Sequence, residues 1–248
     1  MNTYVTISAF STLVMLAILW HLCDSMGHDK RGRICIYITS FVLTVAAALS
    51  CRYLQYTQPD NKLGGAILKF CASAPSVILA LRGFLAEKNR FDLTVLCAII
   101  IGLISDVVIN LNLKAGAAMF AIGHIMYDIA FIREKRPSKK QILIWILLSL
   151  AGGAAVFSLR NKVASFPLVI FGAVYQCILV STVVFSFSLK KIIFAAACIF
   201  AVSDIFLIYN MVAQSPFILT LLSLIIYYVS LLAYGIAIWK ISYPHEKL

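Results

Sequence analysis

The sequence predicts an all-α fold, a polytopic transmembrane helical bundle with about nine spans. The chain has 248 residues, of which 62% are apolar and 12% are charged, whereas a typical soluble domain has about 25% charged residues. Its mean hydropathy is +0.96. These values exclude an ordinary soluble enzyme. Long apolar runs predict membrane-spanning helices, and here they cover about 4–22, 34–54, 66–86, 93–111, 115–132, 141–159, 166–188, 192–212 and 217–239.

The segments between these runs are too short to form a further domain. We therefore expect a single integral membrane domain over residues 1–248, in which any chemistry is carried by side chains inside the helices or at their ends. The first span, 4–22, lacks a basic start and a small-residue cleavage site. We expect it to be a retained helix, since a cleaved signal peptide carries both features.

The basic residues predict the orientation of the bundle. Nine spans place the connections 23–33, 87–92, 133–140 and 189–191 on the same side as the C-terminal tail, and this side holds most of the 21 lysines and arginines. The positive-inside rule then predicts a cell-membrane protein with its N-terminus outside and its C-terminus in the cytoplasm. The net charge of +11 follows from this asymmetry. It favours contact with anionic lipid headgroups of the bilayer, and no nucleic-acid partner is expected.

The cysteines and histidines do not indicate a metal or a cofactor. The seven cysteines are an odd number without a C-x-x-C pair, so we interpret them as small packing residues. A catalytic zinc commonly has three protein ligands, but only His124 of the four histidines lies well inside a span. A serine nucleophile is disfavoured because the chain has no G-x-S-x-G motif.

Five ionisable residues inside the spans are the main functional signal: Lys69, Asp106, His124, Asp128 and Asp204. A charged side chain near the bilayer centre costs about 2.5–3.5 kcal/mol on insertion scales, so it normally faces a bundle interior and marks function. The alternative is that these groups merely join helices through hydrogen bonds, which contribute about 0.6 kcal/mol each. Five such groups in one small bundle favour a site.

The depths of four of these residues predict one shared cavity. At a rise of 1.5 Å per residue, Asp106 and Asp204 lie about 8 and 12 Å from the predicted outer ends of their spans. Lys69 and His124 lie about 5 and 14 Å below the same boundary. We therefore expect all four in the outer half of the membrane. Asp128 is four residues from His124 and is expected to orient or charge its imidazole.

A short repeat links two of the spans. The pattern S-D-x5-N occurs from Ser105 and Asp106 to Asn112, and again from Ser203 and Asp204 to Asn210. Both a parallel duplication and chance matching of apolar helices explain it. Since both copies run in the same direction, the two carboxyl groups can meet across the bundle.

Three motifs resemble those of the YhhN-like lysoplasmalogenase family of integral membrane proteins. They are the stretch G-L-I-S-D at 102–106, the pattern G-x3-F-x3-H-x2-Y-x3-F at 116–131, and F-x2-S-D at 200–204. Lys69 and Tyr175 correspond to a lysine and a tyrosine of the family. The chain departs from the family pattern at Phe70, Ser105 and Leu231, where proline, glycine and glutamine are usual. The family is usually drawn with eight spans, so the resemblance implies a core over about 34–240 and an extra helix at 4–22.

This resemblance implies hydrolysis of the vinyl ether bond of lysoplasmalogen, or of a related lyso-ether lipid, to a fatty aldehyde and a glycerophospho-alcohol. Acid-base catalysis by two carboxyl groups suits that chemistry, and we expect Asp106 and Asp204 to be the catalytic pair. The substrate is then a membrane lipid. The expected substrate-binding or supporting residues are Lys69, His124, Tyr127, Tyr175, Asn112, Asn210, Ser105 and Ser203.

Two other classes remain open from the sequence. Paired intramembrane aspartates with a lysine also suit a proton- or cation-coupled transporter of small molecules or lipids, and parallel repeats occur in such folds. A structural or sensor protein with a bound lipid would keep the same pocket without turnover. Release of aldehyde would indicate the hydrolase, and flux without a product would indicate the transporter. The absence of both would indicate the structural or sensor protein.

Overall fold

The computed structural model describes residues 3–26, 29–158, 160–162, 166–213 and 217–242. Within these ranges the side chains of 3–9, 11–12, 30, 162, 168, 208, 210–213 and 240–242 are not described. The described residues form nine α-helices and one short 3₁₀ helix, Arg160–Lys162. The helices are α1 Thr3–Met26, α2 Lys30–Thr57, α3 Lys62–Glu87, α4 Arg90–Leu111, α5 Leu113–Glu134, α6 Lys139–Ser158, α7 Phe166–Ser186, α8 Lys191–Ala213 and α9 Phe217–Ser242. The all-α fold class is therefore confirmed.

Seven helices are long and apolar enough to cross a membrane when only the described residues are considered. They are α2, α3, α4, α5, α6, α7 and α9. The other two, α1 and α8, contain the longest stretches whose side chains are not described. Large apolar side chains cover the outer surface, and Leu147, Leu150 and Ile218 are 57%, 68% and 73% exposed. Such a surface suits lipid tails and not water.

Five helices form a closed ring in which each packs on the next. In order around the ring they are α4, α5, α7, α8 and α9, and α9 in turn packs on α4. The other helices lie outside: α3 packs on α4 and α9, α2 on α3 and α9, α1 on α2 and α3, and α6 on α7. Side chains that point into this five-helix ring are therefore shielded from lipid on every side.

A one-residue turn fixes α4 against α5. Asn112 ends α4, since its backbone N–H donates to the Val108 carbonyl, and its side chain accepts from the Ala115 N–H at the start of α5. Gly116 then lies so close to α4 that a Cβ on it would be 2.5 Å from the Ile109 Cα. We call this end of the bundle the Asn112 end, and the opposite end, where Asn89 caps α4, the Asn89 end.

Two glycines bring α3 and α9 into close contact. A Cβ on Gly235 would lie 2.6 Å from the Ser76 carbonyl oxygen, and a Cβ on Gly83 would lie 2.9 Å from the Trp239 Cα. Small residues at such positions let membrane helices approach closely. The α3–α9 contact sets the height of α9 relative to α3 and α4.

Two residues differ from their predicted environment. Asp92 was predicted to lie in the connection 87–92, but it lies in the first turn of α4 with no exposed surface and accepts from the Asn89 side-chain amide. The helix begins earlier than the apolar run because Asn89 supplies an N-cap. Arg82 is not among the five ionisable residues expected inside the spans, but it lies in α3, where it pairs with Asp24 and covers the Trp20 ring at 4.8 Å.

Candidate active site

Asp106 is held at the junction of three helices. Its carboxyl group is on α4 and only 2% of the residue is exposed. Its Oδ2 accepts one hydrogen bond from the Ser73 hydroxyl of α3, at 2.6 Å, and one from the Tyr227 hydroxyl of α9, at 2.9 Å. Hydroxyl donors from two neighbouring helices thus compensate for the loss of water around this carboxyl group.

Asp204 has a similar environment on the other side of the ring. It lies on α8, is 7% exposed, and its Oδ2 accepts a hydrogen bond from the Tyr175 hydroxyl of α7 at 2.6 Å. The preceding residue joins α8 to α9, because the Ser203 carbonyl accepts from the Ser223 hydroxyl at 3.1 Å. Neighbouring helices therefore fix both the side chain and the backbone of this aspartate.

The two S-D pairs of the repeat have the same local arrangement. Ser105 and Ser203 both donate to backbone carbonyls in the preceding turn of their own helix, each at 2.7 Å. Asp106 and Asp204 both accept from a tyrosine of an adjacent helix. The serine hydroxyls therefore satisfy the helix backbone, and the aspartates are the groups that contact neighbouring helices.

A row of aromatic side chains crosses the ring between the two aspartates. The ring centroids of Tyr227 and Phe200 are 5.3 Å apart. Those of Phe200 and His124 are 4.5 Å apart, and those of His124 and Tyr175 are 5.8 Å apart. The two terminal tyrosines are the donors to Asp106 and to Asp204. All of these contacts are edge-to-face, an arrangement favoured by aromatic pairs. Both aspartates are therefore connected to the same row of rings through their tyrosine donors.

His124 lies in the middle of this row. It is 2% exposed, and neither of its ring nitrogens has a hydrogen-bond partner among the described side chains. The predicted pairing with Asp128 is not observed. Asp128 instead accepts from the Ser181 hydroxyl of α7, because a donor on the neighbouring helix competes with the imidazole one turn away.

Tyr127 belongs to a second aromatic group, closer to the Asn89 end. Its ring stacks on Tyr234 at 4.4 Å and lies 6.0 Å from Phe131, which in turn lies 6.4 Å from Phe91. The Tyr127 hydroxyl has no hydrogen-bond partner within the described structure. We call Phe91, Phe131, Tyr127 and Tyr234 the aromatic stack. It fills the ring between His124 and a cleft of about 700 Å³ at the Asn89 end, which Phe91 also lines.

The remaining predicted residues occupy different positions. Lys69 is half-buried on α3, one turn from Ser73, where its charge acts on Asp106. Asn112 is exposed and caps α5, so it lies at the end of the ring and not inside it. The Asn210 side chain lies outside the described part of the structure.

Two functional candidates were not found from the sequence. Ser73 and Tyr227 were not among the predicted site residues, although both donate to Asp106. Ser73 lies four residues after Lys69 and therefore on the same face of α3, which is the signal that points to it. Tyr227 carries no comparable local signal, because its role depends on the packing of α9 against α4.

The described residues contain no group of three or more histidine, cysteine, aspartate or glutamate side chains that could hold a metal ion. What they contain is a pair of buried carboxyl groups, each with one oxygen held by hydroxyl donors. Such groups can donate or accept protons in an enclosed space.

Comparison with known proteins identifies the family of the chain. No curated protein and no solved structure gives a significant match. The family model of the YhhN family matches residues 70–236, which extend from α3 to α9 and include both S-D pairs and His124. The match covers more than half of the chain, and we conclude that the protein belongs to the YhhN family.

Proposed function

We propose that this protein is a membrane hydrolase that cleaves the vinyl ether bond of lysoplasmalogen or a related lyso-ether lipid. The observation that carries the proposal is the pair of buried aspartates, Asp106 and Asp204, whose tyrosine donors lie at the two ends of one row of aromatic rings. The vinyl ether itself comes from the family resemblance of the sequence motifs. The geometry supports acid-base chemistry because both carboxyl groups are buried and hydrogen-bonded to tyrosines that end the same row of aromatic rings.

The reaction needs two carboxyl groups with opposite roles. One donates a proton to the β-carbon of the vinyl ether, which leaves an oxocarbenium-like cation at the carbon bonded to oxygen. The other stabilises this cation and accepts a proton from the water that attacks it. The resulting hemiacetal breaks its second C–O bond, the leaving oxygen takes a proton, and the products are a fatty aldehyde and a glycerophospho-alcohol.

The hydrogen bonds leave one oxygen of each aspartate available for this chemistry. Ser73 and Tyr227 donate to Oδ2 of Asp106, and Tyr175 donates to Oδ2 of Asp204. No described hydrogen bond reaches either Oδ1, so this is the atom that exchanges a proton with substrate or water. His124 lies between the two carboxyl groups and serves as a positioning group or proton relay.

The aromatic stack favours an enzyme over the transporter alternative. A carrier must open its central site to both sides of the membrane in turn. Here buried, mutually packed aromatic rings separate His124 from the cleft at the Asn89 end, so the site is closed on that side. These rings are those of Tyr127, Tyr234 and Phe131. A hydrolase, in contrast, needs access to its site from one side only.

The proposal is tested with purified protein in liposomes that contain 1-alkenyl lysophospholipid. Fatty aldehyde and glycerophospho-alcohol are measured together with movement of lipid and protons across the bilayer. Release of both products in equal amounts is the expected result. Transport without product would support the carrier and would reject the hydrolase.

Tyr175→Phe is expected to lower the turnover rate by roughly tenfold, because the Asp204 carboxyl group loses its described hydroxyl donor and a hydrogen bond to a charged group contributes about 1.5–3 kcal/mol. The matched control is Tyr234→Phe. The Tyr234 hydroxyl is buried but has no described hydrogen-bond partner, so this variant should keep the wild-type rate. Equal rates for the two variants would contradict a role of Tyr175 in holding Asp204.

A further inference from the structure

Polar contacts continue from Asp106 toward the Asn112 end. The Asn110 side-chain amide donates to the Asp106 carbonyl oxygen at 3.4 Å and lies over Gly65 of α3, whose position leaves room for it. The Gly65 carbonyl in turn accepts from the Cys51 thiol of α2 at 3.7 Å. Helices α2, α3 and α4 therefore meet just beyond Asp106.

Two cations border this junction. Lys69 lies on α3, four residues from Gly65 and four from Ser73, and therefore on the face that meets Asn110 and Asp106. Arg52 follows Cys51 on α2, and its guanidinium covers the ring of Phe217, the first residue of α9, at 4.9 Å. Arg52 directly follows Cys51, whose thiol donates to the Gly65 carbonyl, and Lys69 lies one turn further along α3 from Gly65.

Neither cation has a carboxylate partner in the part of the chain that the structure describes. Arg82 pairs with Asp24, but no described carboxylate lies within 4.0 Å of Arg52 or Lys69. The Nε atom of Arg52 is buried without a hydrogen-bond partner among the described residues. Stacking on Phe217 uses the face of the guanidinium and leaves its N–H edge available. Unpaired cations within a membrane bundle are costly and indicate an anionic ligand.

From this arrangement we infer that Arg52, Lys69 and Asn110 form the binding site for the phosphate group of a lysophospholipid. The identity of the lipid in this inference rests on the proposed function. The spacing fits. Lys69 is one helical turn, about 6 Å, from Ser73, which contacts Asp106. In a 1-alkenyl lysophospholipid, six bonds separate the reactive vinyl ether carbon from phosphorus, or about 7 Å when extended. The phosphate therefore reaches Lys69 while the vinyl ether lies beside Asp106, and we assign Arg52 to the same phosphate from the side of α2.

The inference assigns a function to Arg52, which lies outside the region that matches the YhhN family. It also predicts selectivity. Lipids with a phosphodiester bind through the guanidinium, the ammonium and the amide, whereas a glycerol ether without phosphate contacts only the apolar and hydroxyl-bearing parts of the site. A planar guanidinium forms two parallel hydrogen bonds to a phosphate, which a lysine cannot do.

The test is equilibrium binding to purified protein in detergent, with a 1-O-alkyl lysophospholipid and a 1-O-alkylglycerol as the two probes. Neither probe has a vinyl ether, so binding is measured whether or not the protein is a hydrolase. Arg52→Gln is expected to weaken binding of the phospholipid by about tenfold or more and to leave binding of the alkylglycerol unchanged. Lys69→Gln should act in the same direction.

The matched control is Arg160→Gln. Arg160 also covers an aromatic ring at 4.9 Å, that of Phe157, but it lies beyond α6 and away from Asp106. This variant should bind both probes like the wild type. Unchanged phospholipid affinity in Arg52→Gln, or an equal loss for both probes, would overturn the phosphate site. Displacement of the phospholipid by inorganic phosphate at the same concentration would assign the site to a free anion and would overturn the lipid assignment. Absence of aldehyde release with intact, Arg52-dependent binding would instead reject only the proposed hydrolysis.

Discussion

Asp106→Asn and Asp204→Asn are each expected to lower the rate of aldehyde release by about 100-fold or more while the protein remains folded. General acid-base catalysis contributes about 10²–10⁴-fold to a rate, and an amide supplies neither the proton nor the base. The amide oxygen still accepts the hydrogen bond from Tyr227 or Tyr175, so the helix contacts remain. Product release from liposomes and elution as a single species in size-exclusion chromatography are the two measurements.

Asp128→Asn is the matched control for these variants. Asp128 is also an intramembrane aspartate that accepts a hydrogen bond from a hydroxyl of α7, but this bond holds it against Ser181 and away from the row of rings between Asp106 and Asp204. The variant should keep most of the wild-type rate. Wild-type turnover in both Asp106→Asn and Asp204→Asn would reject the acid-base pair. Loss of turnover only in Asp128→Asn would assign the catalytic role to Asp128 and contradict the proposal.

Gly235→Val is expected to cause the second large effect, a marked loss of thermal stability together with loss of turnover. A Cβ at this position would lie 2.6 Å from the Ser76 carbonyl oxygen, and backbone cannot move aside as a flexible side chain can. Overpacking of this kind costs about 1–3 kcal/mol or more. If α9 moves away from α3, Tyr227, two turns along the same helix, no longer reaches the Asp106 carboxyl group.

The matched control for this variant is Gly153→Val on α6. A Cβ on Gly153 would meet nothing within 4 Å, so the substitution should leave the melting temperature unchanged within about 2 °C, as is usual for surface positions. Melting is followed by the fraction of protein that remains monodisperse after heating. Equal melting temperatures for Gly235→Val and wild type would contradict the close α3–α9 contact.

The helices were largely predictable because a membrane makes hydropathy decisive. The predicted spans 34–54, 93–111 and 217–239 lie within α2, α4 and α9, and the observed helices extend a few residues further at their ends. The extra turns come from polar caps such as Asn89 and Asp29, which do not contribute to an apolar run. Asp106 and Asp204 were identified for the same reason, since a carboxyl group in an apolar span is conspicuous.

The partners of those aspartates were much less predictable. The sequence indicated Tyr175 only through a resemblance, missed Ser73 and Tyr227, and suggested a local pair of His124 with Asp128 that the structure does not contain. Hydroxyl groups are common in membrane helices, and nothing in their spacing states which neighbouring helix they will meet. A contact between residues four apart on one helix competes with donors from other helices, as it does at Asp128.

By itself, therefore, the sequence determined where along the chain the apolar helices lie and which ionisable groups they contain, because both follow from the free energy of transfer between water and lipid. Only the tertiary structure decided that α4, α5, α7, α8 and α9 close into a ring, that tyrosines of α7 and α9 hold the two aspartates, and that Arg52 and Lys69 lie beside the same junction. These relations depend on which helix faces pack together, and close packing is set by shape across the whole bundle and not by any single segment.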